Sequence, residues 1–255
     1  MPEIEYLTPQ EWADVLVKDA RPDAIAEALR TGKYWSWTDT LLQYSHESDA
    51  VLDLGSGAGE NAAVLALYGR KMTLLDWSER NLGFDKELFH VLERSGRFVQ
   101  HDMTRPLPFE DNSFDMVFSC GVFEYFTDEQ IRQIVQEALR IARQRVIILV
   151  PNARSLAYRL GKWYLETRGR WHWGRERPFS TLRPHFRAAG CAQVTEFCVA
   201  TKHSLDFLVM RGGPTLKKLL IRLLRLTDHS KPAAFRQGYL LVTIGEKNAE
   251  GHSRA

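Results

Sequence analysis

Along the first 150 residues the chain alternates between two hydrophobic patterns. Unbroken apolar runs at 50–54, 71–76, 114–119 and 145–150 match strands buried on both faces, since a half-exposed strand would alternate apolar and polar positions. Stretches 60–68, 79–93 and 128–142 repeat at helical spacing instead. In the last of these Ile131, Ile134, Val135, Ala138, Leu139 and Ala142 share one helix face, and Thr127 stands where an N-cap belongs. Strands alternating with helices predict βαβ units and a parallel sheet covered on both sides.

From Pro151 the pattern changes. Residues 151–178 mix Pro, Gly, Arg and aromatics with little periodicity, which predicts an irregular insertion over the sheet. A helix over 182–189 stopped by Gly190, and strands over 194–199 and 239–244, follow. Between those strands, 215–226 reads as an amphipathic helix opened by Pro214: Leu216, Leu219, Leu220, Leu223 and Leu224 lie on one face, with Lys217, Lys218, Arg222 and Arg225 on the other. No linker divides the chain. The expectation is a single α/β domain over 1–255: N-terminal lid helices in 1–49, a ligand-binding core in 50–150, a cap insertion in 151–180 and the rest of the sheet in 181–247.

Composition narrows the class. With 44% hydrophobic and 26% charged residues, the chain is neither disordered nor fibrous. No apolar run reaches the ~18 residues of a membrane span. The N-terminal residues lack the basic and apolar blocks of a secretory signal, and Cys120, Cys191 and Cys198 form no paired framework. A cytoplasmic setting is expected. The net charge of +2 conceals a division: residues 1–130 hold 11 basic and 24 acidic side chains, residues 131–255 hold 23 and 8. That division points to an anionic partner for the second half.

Candidate chemistry centres on Val51-Leu-Asp-Leu-Gly-Ser-Gly-Ala-Gly-Glu60, where a strand runs into glycines at 55, 57 and 59 before a helix. Such a loop lets backbone approach a ligand at the carboxyl end of a parallel strand. The spacing is G-x-G-x-G rather than the dinucleotide fingerprint G-x-G-x-x-G, and Glu60 stands where its third glycine would be. With Asp53 just before the loop, the acidic surroundings suit a ligand carrying an ammonium or sulfonium better than a pyrophosphate. Asp76 ends the next strand, and Trp77 follows it. Asp102 and Met103 follow a short strand at 98–100, where a carboxylate could accept from an exocyclic amine and a thioether could pack beside a ring.

As a set these segments resemble the class I S-adenosylmethionine-dependent methyltransferases: V-L-D-L-G-S-G-A-G-E at 51–60, L-L-D at 74–76, H-D-M at 101–103, L-P-F-E-D-N-S-F-D-M-V at 107–117 and V-F-E-Y-F at 122–126. The resemblance covers about residues 30–150. It implies a doubly wound, seven-stranded sheet in the order 3-2-1-4-5-7-6 with strand 7 antiparallel, under a helical and aromatic cap. It also implies S-adenosyl-L-methionine as cofactor and S-adenosyl-L-homocysteine as product. Asp53, Gly55 and Gly57 would lie under the methionine moiety, Asp76 would hold the ribose, Trp77 and Met103 would flank adenine, Asp102 would meet its amino group, and the Cys120 carbonyl would face the methionine ammonium. A lid aromatic is assigned to Tyr34 or Trp35. Where many relatives carry Glu-His, this chain has Glu124-Tyr125.

The acceptor is less defined. An amine need only arrive unprotonated, whereas a hydroxyl benefits from a general base. Candidate catalytic groups are Glu124, Tyr125, His172, His185 and His203, with His172 favoured because it sits in the aromatic, basic cap. The eight histidines form no ligating cluster, so no metal is expected. Residues 153–187 hold nine basic side chains against two acidic ones, interleaved with aromatics. That composition suits a small anionic or ring-bearing acceptor (a metabolite, sugar or lipid-linked molecule). It suits single-stranded RNA less well, and a solvated basic surface remains open. The 215–226 helix fits either packing on the sheet or peripheral contact with an anionic membrane. The expected function is methyl transfer to oxygen or nitrogen of a small molecule, the alternatives being an RNA methyltransferase or a non-catalytic cofactor-binding subunit.

Overall fold

A computed structural model describes residues 7–191, 193–207, 219, 222 and 237–247. Three N-terminal helices, α1 (Pro9–Leu16), α2 (Pro22–Arg30) and α3 (Thr38–Gln43), precede the first strand. The alternating core then runs β1 (Ala50–Leu54), α4 (Glu60–Leu67), β2 (Lys71–Asp76), α5 (Glu79–Val91), β3 (Gly96–Gln100), β4 (Phe114–Cys120), a 3-10 turn at Phe123–Tyr125, α6 (Asp128–Ile141) and β5 (Ala142–Pro151). After it come α7 (Leu156–Thr167), α8 (Arg183–Ala188), β6 (Gln193–Val199), α9 (Thr201–Asp206) and β7 (Leu240–Glu246).

The strands order as β3-β2-β1-β4-β5-β7-β6, with β7 antiparallel to both its neighbours and the others parallel. This is the sheet that the resemblance implies. Burial explains the unbroken apolar runs: the side chains of β1 from Val51 onward are fully covered, because helices pack on both faces. One core layer, including Leu41, Ala63, Leu74, Phe89 and Phe118, joins the sheet to α1 through α5. The other, including Leu52, Phe114, Ile134, Val146 and Phe186, joins it to α6 and α8.

Helix α6 matches its periodicity. Ile131, Ile134, Val135, Ala138 and Leu139 are buried, and a capping box with Gln130 fixes the start at Thr127, a device that contributes about 1 kcal/mol.

The stretch expected to be irregular contains a three-turn helix, α7, which corrects that expectation. Its inward positions are Ala157, Tyr158, Gly161 and Lys162, whereas Leu156, Leu160 and Trp163 face outward. Small and polar residues inside with large apolar ones outside invert the usual stripe, so the helical period was hidden. A Cβ on Gly161 would come 2.4 Å from the Phe207 carbonyl oxygen, which shows how closely α7 approaches the end of α9. The 215–226 helix lies outside the described residues except for Leu219 and Arg222, both helical and exposed.

Candidate functional site

The glycine loop hangs from the end of β1 and is tied to β2: the Gly55 and Ser56 amides donate to the Leu75 carbonyl at 2.8 and 3.1 Å. Gly55 has φ 83°, and a Cβ there would come 2.9 Å from Met103 Cε and from Val122 Cγ2. Only glycine leaves that cradle open.

Asp76, at the end of β2, accepts from the Gly57 amide at 2.9 Å, the Ser78 amide at 2.8 Å and the Asn81 side-chain amide at 3.3 Å. Beneath the loop, Asp85 of α5 accepts from the Ser56 hydroxyl at 2.7 Å while its Oδ1 has no partner among the described residues. Asp53 lies 3% exposed in the same region.

Among the described residues no basic side chain is paired with these acids, and burial shifts each of them upward. Burial, then the neighbouring Asp76, holds Asp53 well above the carboxylate range. Burial does the same to Asp85, only partly offset by the Ser56 hydroxyl. Asp76 and Glu60 are also raised by burial, Asp76 less because of its amide donors. A cationic ligand would relieve all of them.

A stability consequence follows. An acid raised in the fold contributes fully below its unfolded value near 4 and loses that contribution as pH climbs through its raised value. Asp128 and Glu137, held low by Arg177 and Arg140, act in the opposite sense, but lose their contribution only as pH falls through values below the ordinary range. Between the unfolded value near 4 and their raised values the buried acids therefore set the slope. Ligand-free protein should show a Tm that falls steadily across this window; a flat or rising Tm would refute the electrostatic account.

One cavity of about 830 Å³ opens over the loop. Its wall on the side of the loop includes Gly55, Gly57, Asp76, Trp77, Asp102, Met103 and Cys120. Asp102 accepts from the Thr104 amide and hydroxyl at 2.9 and 2.8 Å, and Arg105 lies 3.7 Å from it. Met103 is buried and Trp77 is 38% exposed. Burial and the charge of Glu124 push the Cys120 thiol up, so it remains a neutral side chain. Asp53 lies behind this wall rather than in it.

The opposite wall is aromatic and is assembled from distant segments. Trp12 of α1 packs edge-on against Tyr125 at 4.7 Å, and Leu16 Cδ1 would lie 3.2 Å from a Cβ on Gly57, so α1 forms a lid over the loop. Trp35 stacks on Trp37 at 4.8 Å, with His203 edge-on to both. Phe207 and Tyr239 close this side. The cap is strapped to the 3-10 turn: the Tyr125 hydroxyl donates to the Trp173 carbonyl at 2.9 Å, and the Arg177 amide donates to the Glu124 carbonyl at 3.0 Å.

Several sequence expectations move. Between the two lid aromatics, Trp35 lines the cavity. Tyr34 does not: it packs on the core beneath, its hydroxyl donating to Asp39 at 3.0 Å and pushed up to about 12 by burial. Among the candidate bases, Glu124, Tyr125 and His203 line the cavity. His172 is exposed and outside its lining, and His185 sits on α8 with Asp128 at 3.1 Å. Of the nine basic residues in 153–187, only Arg175 reaches the lining. Lys162 is buried beneath the cap, and the rest of that positive charge is exposed or half-exposed away from the cavity.

Sequence reasoning missed Glu176, which the cap buries in this wall, along with Trp12, Asp206 and Tyr239. The one available signal was an acid between Arg175 and Arg177 in an aromatic run. Among the described residues no cluster of His, Cys, Asp and Glu suits a metal ion, and no helix is long and apolar enough to cross a membrane.

The strand order, the antiparallel β7 and a glycine loop at the end of β1 define the class I methyltransferase fold. Residues 51–145 match the family model described as a methyltransferase domain. Phosphoethanolamine N-methyltransferase 1 of Triticum aestivum is 30% identical over 92 residues, which is 36% of this chain and 18% of that protein. The chain thus spans about a fifth of the length of the curated relatives it matches. Among solved structures, a SAM-dependent methyltransferase of Thermotoga maritima, described as a possible histamine N-methyltransferase, matches with a TM-score of 0.61 at 18% identity, covering 94% of this chain and 100% of that one. A SAM-dependent methyltransferase of Archaeoglobus fulgidus gives a TM-score of 0.59 at 16% identity over 92% and 98% of the two chains. These two likenesses establish the fold. Together with the family match they show a methyltransferase domain at residues 51–145 on the class I fold, a pairing that implies S-adenosylmethionine as methyl donor and S-adenosylhomocysteine as product.

Proposed function

We propose that the protein transfers a methyl group to a small acceptor held in the aromatic half of the cavity. The observation that carries this reading is one continuous cavity lined both by the glycine loop, Asp76 and Asp102 and by Trp35, Trp173 and Tyr239. Its volume, about 830 Å³, falls within the ~300–1,000 Å³ of ligand sites.

The residues fit S-adenosylmethionine. The loop is a cradle that a Cβ at Gly55 would fill, and the surrounding buried acids lack a cation. On this reading Gly55 and Gly57 accommodate the methionine moiety, with Asp53 supplying negative charge from behind. Asp76 takes the ribose hydroxyls, Trp77 and Met103 flank adenine, and Asp102 accepts from its amino group. The Cys120 carbonyl faces the ammonium. When bound, the cofactor supplies an electrophilic methyl carbon.

The chain's own work is positioning. It must hold the acceptor's nucleophilic atom ~3–3.5 Å from that carbon and in line with the departing sulfur. The aromatic wall grips an apolar or ring-bearing body. The straps from Tyr125 to Trp173 and from Arg177 to Glu124 hold the cap over it, excluding water.

Calorimetry with S-adenosylhomocysteine tests the cofactor half, and release of S-adenosylhomocysteine across a panel of small acceptors tests the other. Trp173→Ala should raise the KM of a responsive acceptor about tenfold, the order expected for loss of an aromatic contact, while cofactor affinity stays within twofold. Equal losses in both would place Trp173 in the cofactor site.

A further inference from the structure

The acceptor end contains a charge arrangement that methyl transfer alone does not require. Glu124, on the 3-10 turn, is 3% exposed and lines the cavity, yet its Oε2 has no hydrogen-bond partner among the described residues. Glu176, on the cap, lines the same cavity and is buried. Its Oε1 accepts from the Tyr158 hydroxyl and lies 3.9 Å from Lys162, which is engaged more closely with Glu166 at 2.6 Å. Glu176 is thus partly satisfied, and Glu124 is not.

Leaving a buried carboxyl oxygen without a partner is costly, so its retention in a cavity wall points to a ligand that completes it. The remaining lining narrows the sign of that ligand. Among the described lining residues, Arg175 is the one guanidinium and it is exposed, while Glu60, Asp76, Asp102 and Asp206 add further carboxylates. The histidines, His101 and His203, are the other basic groups there. An anionic acceptor would meet the unpartnered Glu124 oxygen. A cation would meet two carboxylates and the aromatic side chains of Trp173 and Tyr239, whose π-systems attract positive charge.

We propose that the acceptor is an amine carried on an apolar or aromatic body, and that Glu124 and Glu176 form the subsite for its ammonium group. This rests on the methyl-transfer reading above and specifies its substrate class. An alkylamine is protonated in neutral water and must lose a proton before its lone pair can attack carbon. The Glu124 carboxylate is placed to take it: the N–H bond breaks, an O–H bond forms on the carboxylate, and the nitrogen keeps its electron pair. Burial, followed by the charge of Glu176, raises the affinity of Glu124 for that proton.

The test uses three probes of one shape on the full-length protein saturated with S-adenosylhomocysteine: 2-phenylethylamine, 2-phenylethanol and phenylacetate. Calorimetry should show the amine binding at least tenfold more tightly than the alcohol or the acid. Glu124→Gln and Glu176→Gln should each erase at least tenfold of that preference while S-adenosylhomocysteine affinity stays within twofold. Amine binding no tighter than alcohol or acid in the wild type, with the cofactor product bound normally, would overturn the subsite and leave the methyltransferase reading intact. Failure to bind S-adenosylhomocysteine would instead remove that reading. If a Gln variant does not fold, the wild-type ranking of the three probes still decides. A Glu124→Gln protein that loses S-adenosylmethionine but keeps its amine preference would reassign Glu124 to the cofactor and overturn the proposal.

Discussion

Replacing Asp76 with Ala should lower S-adenosylhomocysteine affinity at least a hundredfold, equivalent to about 2.7 kcal/mol. Two losses combine. The proposed ribose hydroxyls lose a charged acceptor, and hydrogen bonds to charged groups contribute roughly 1.5–3 kcal/mol each. The loop also loses its anchor, because the Gly57 and Ser78 amides both donate to this carboxylate. Thermal melting without ligand should therefore drop as well. Asp76→Asn, which keeps an acceptor oxygen, should recover much of the melting temperature and little of the affinity. Calorimetry that finds the Ala variant within threefold of wild type would remove Asp76 from the cofactor site.

The second large effect is expected behind the loop. Gly59 has φ 63°, and a Cβ there would stand 2.5 Å from Asp85 Oδ1 and 3.0 Å from Asp85 Cγ. Left-handed backbone costs a residue with a side chain about 1–2 kcal/mol, and displacing Asp85 adds to it. Gly59→Ala should thus destabilise by about 2–4 kcal/mol in denaturant unfolding. Removing the obstructing carboxylate separates the two causes: in the cycle with Asp85→Ala, the double variant should be better than additive by about 1–2 kcal/mol. Strict additivity would show that the two side chains do not meet.

What was readable in the chain follows from how each part is encoded. Strands β1, β2 and β4 are mostly apolar runs, and the glycine loop is contiguous with β1, so both the core of the sheet and the loop at the end of β1 were legible. The acceptor end was not. Trp12, Glu176, His203 and Tyr239 come from four segments far apart in sequence and meet only when the sheet has formed. Helix α7 was hidden for a local reason, its buried face being Ala, Tyr, Gly and Lys. The basic cap misled in a third way: composition counts charges without their directions, and every guanidinium of that stretch but that of Arg175 stays off the cavity while Glu176 lines it. His172 sat in the right stretch on the wrong side, and Tyr34 one residue from the aromatic that lines the cavity.

The strand order also dictates a timetable. Among the described strands β6 pairs with β7 alone, and β7 is the last of them in the chain although it sits between β5 and β6. As the polypeptide leaves the ribosome, β1 through β5 can pair in succession, completing the glycine loop and the nucleoside floor. β6 must wait without a neighbour until Leu240–Glu246 arrives to be threaded beside β5. Tyr239, which closes the acceptor wall, enters with that strand. The growing protein should thus acquire its grip on the methyl donor before it has anywhere to put the methyl group, and the unpaired edge of β5 is the surface most exposed to misassembly in the interval.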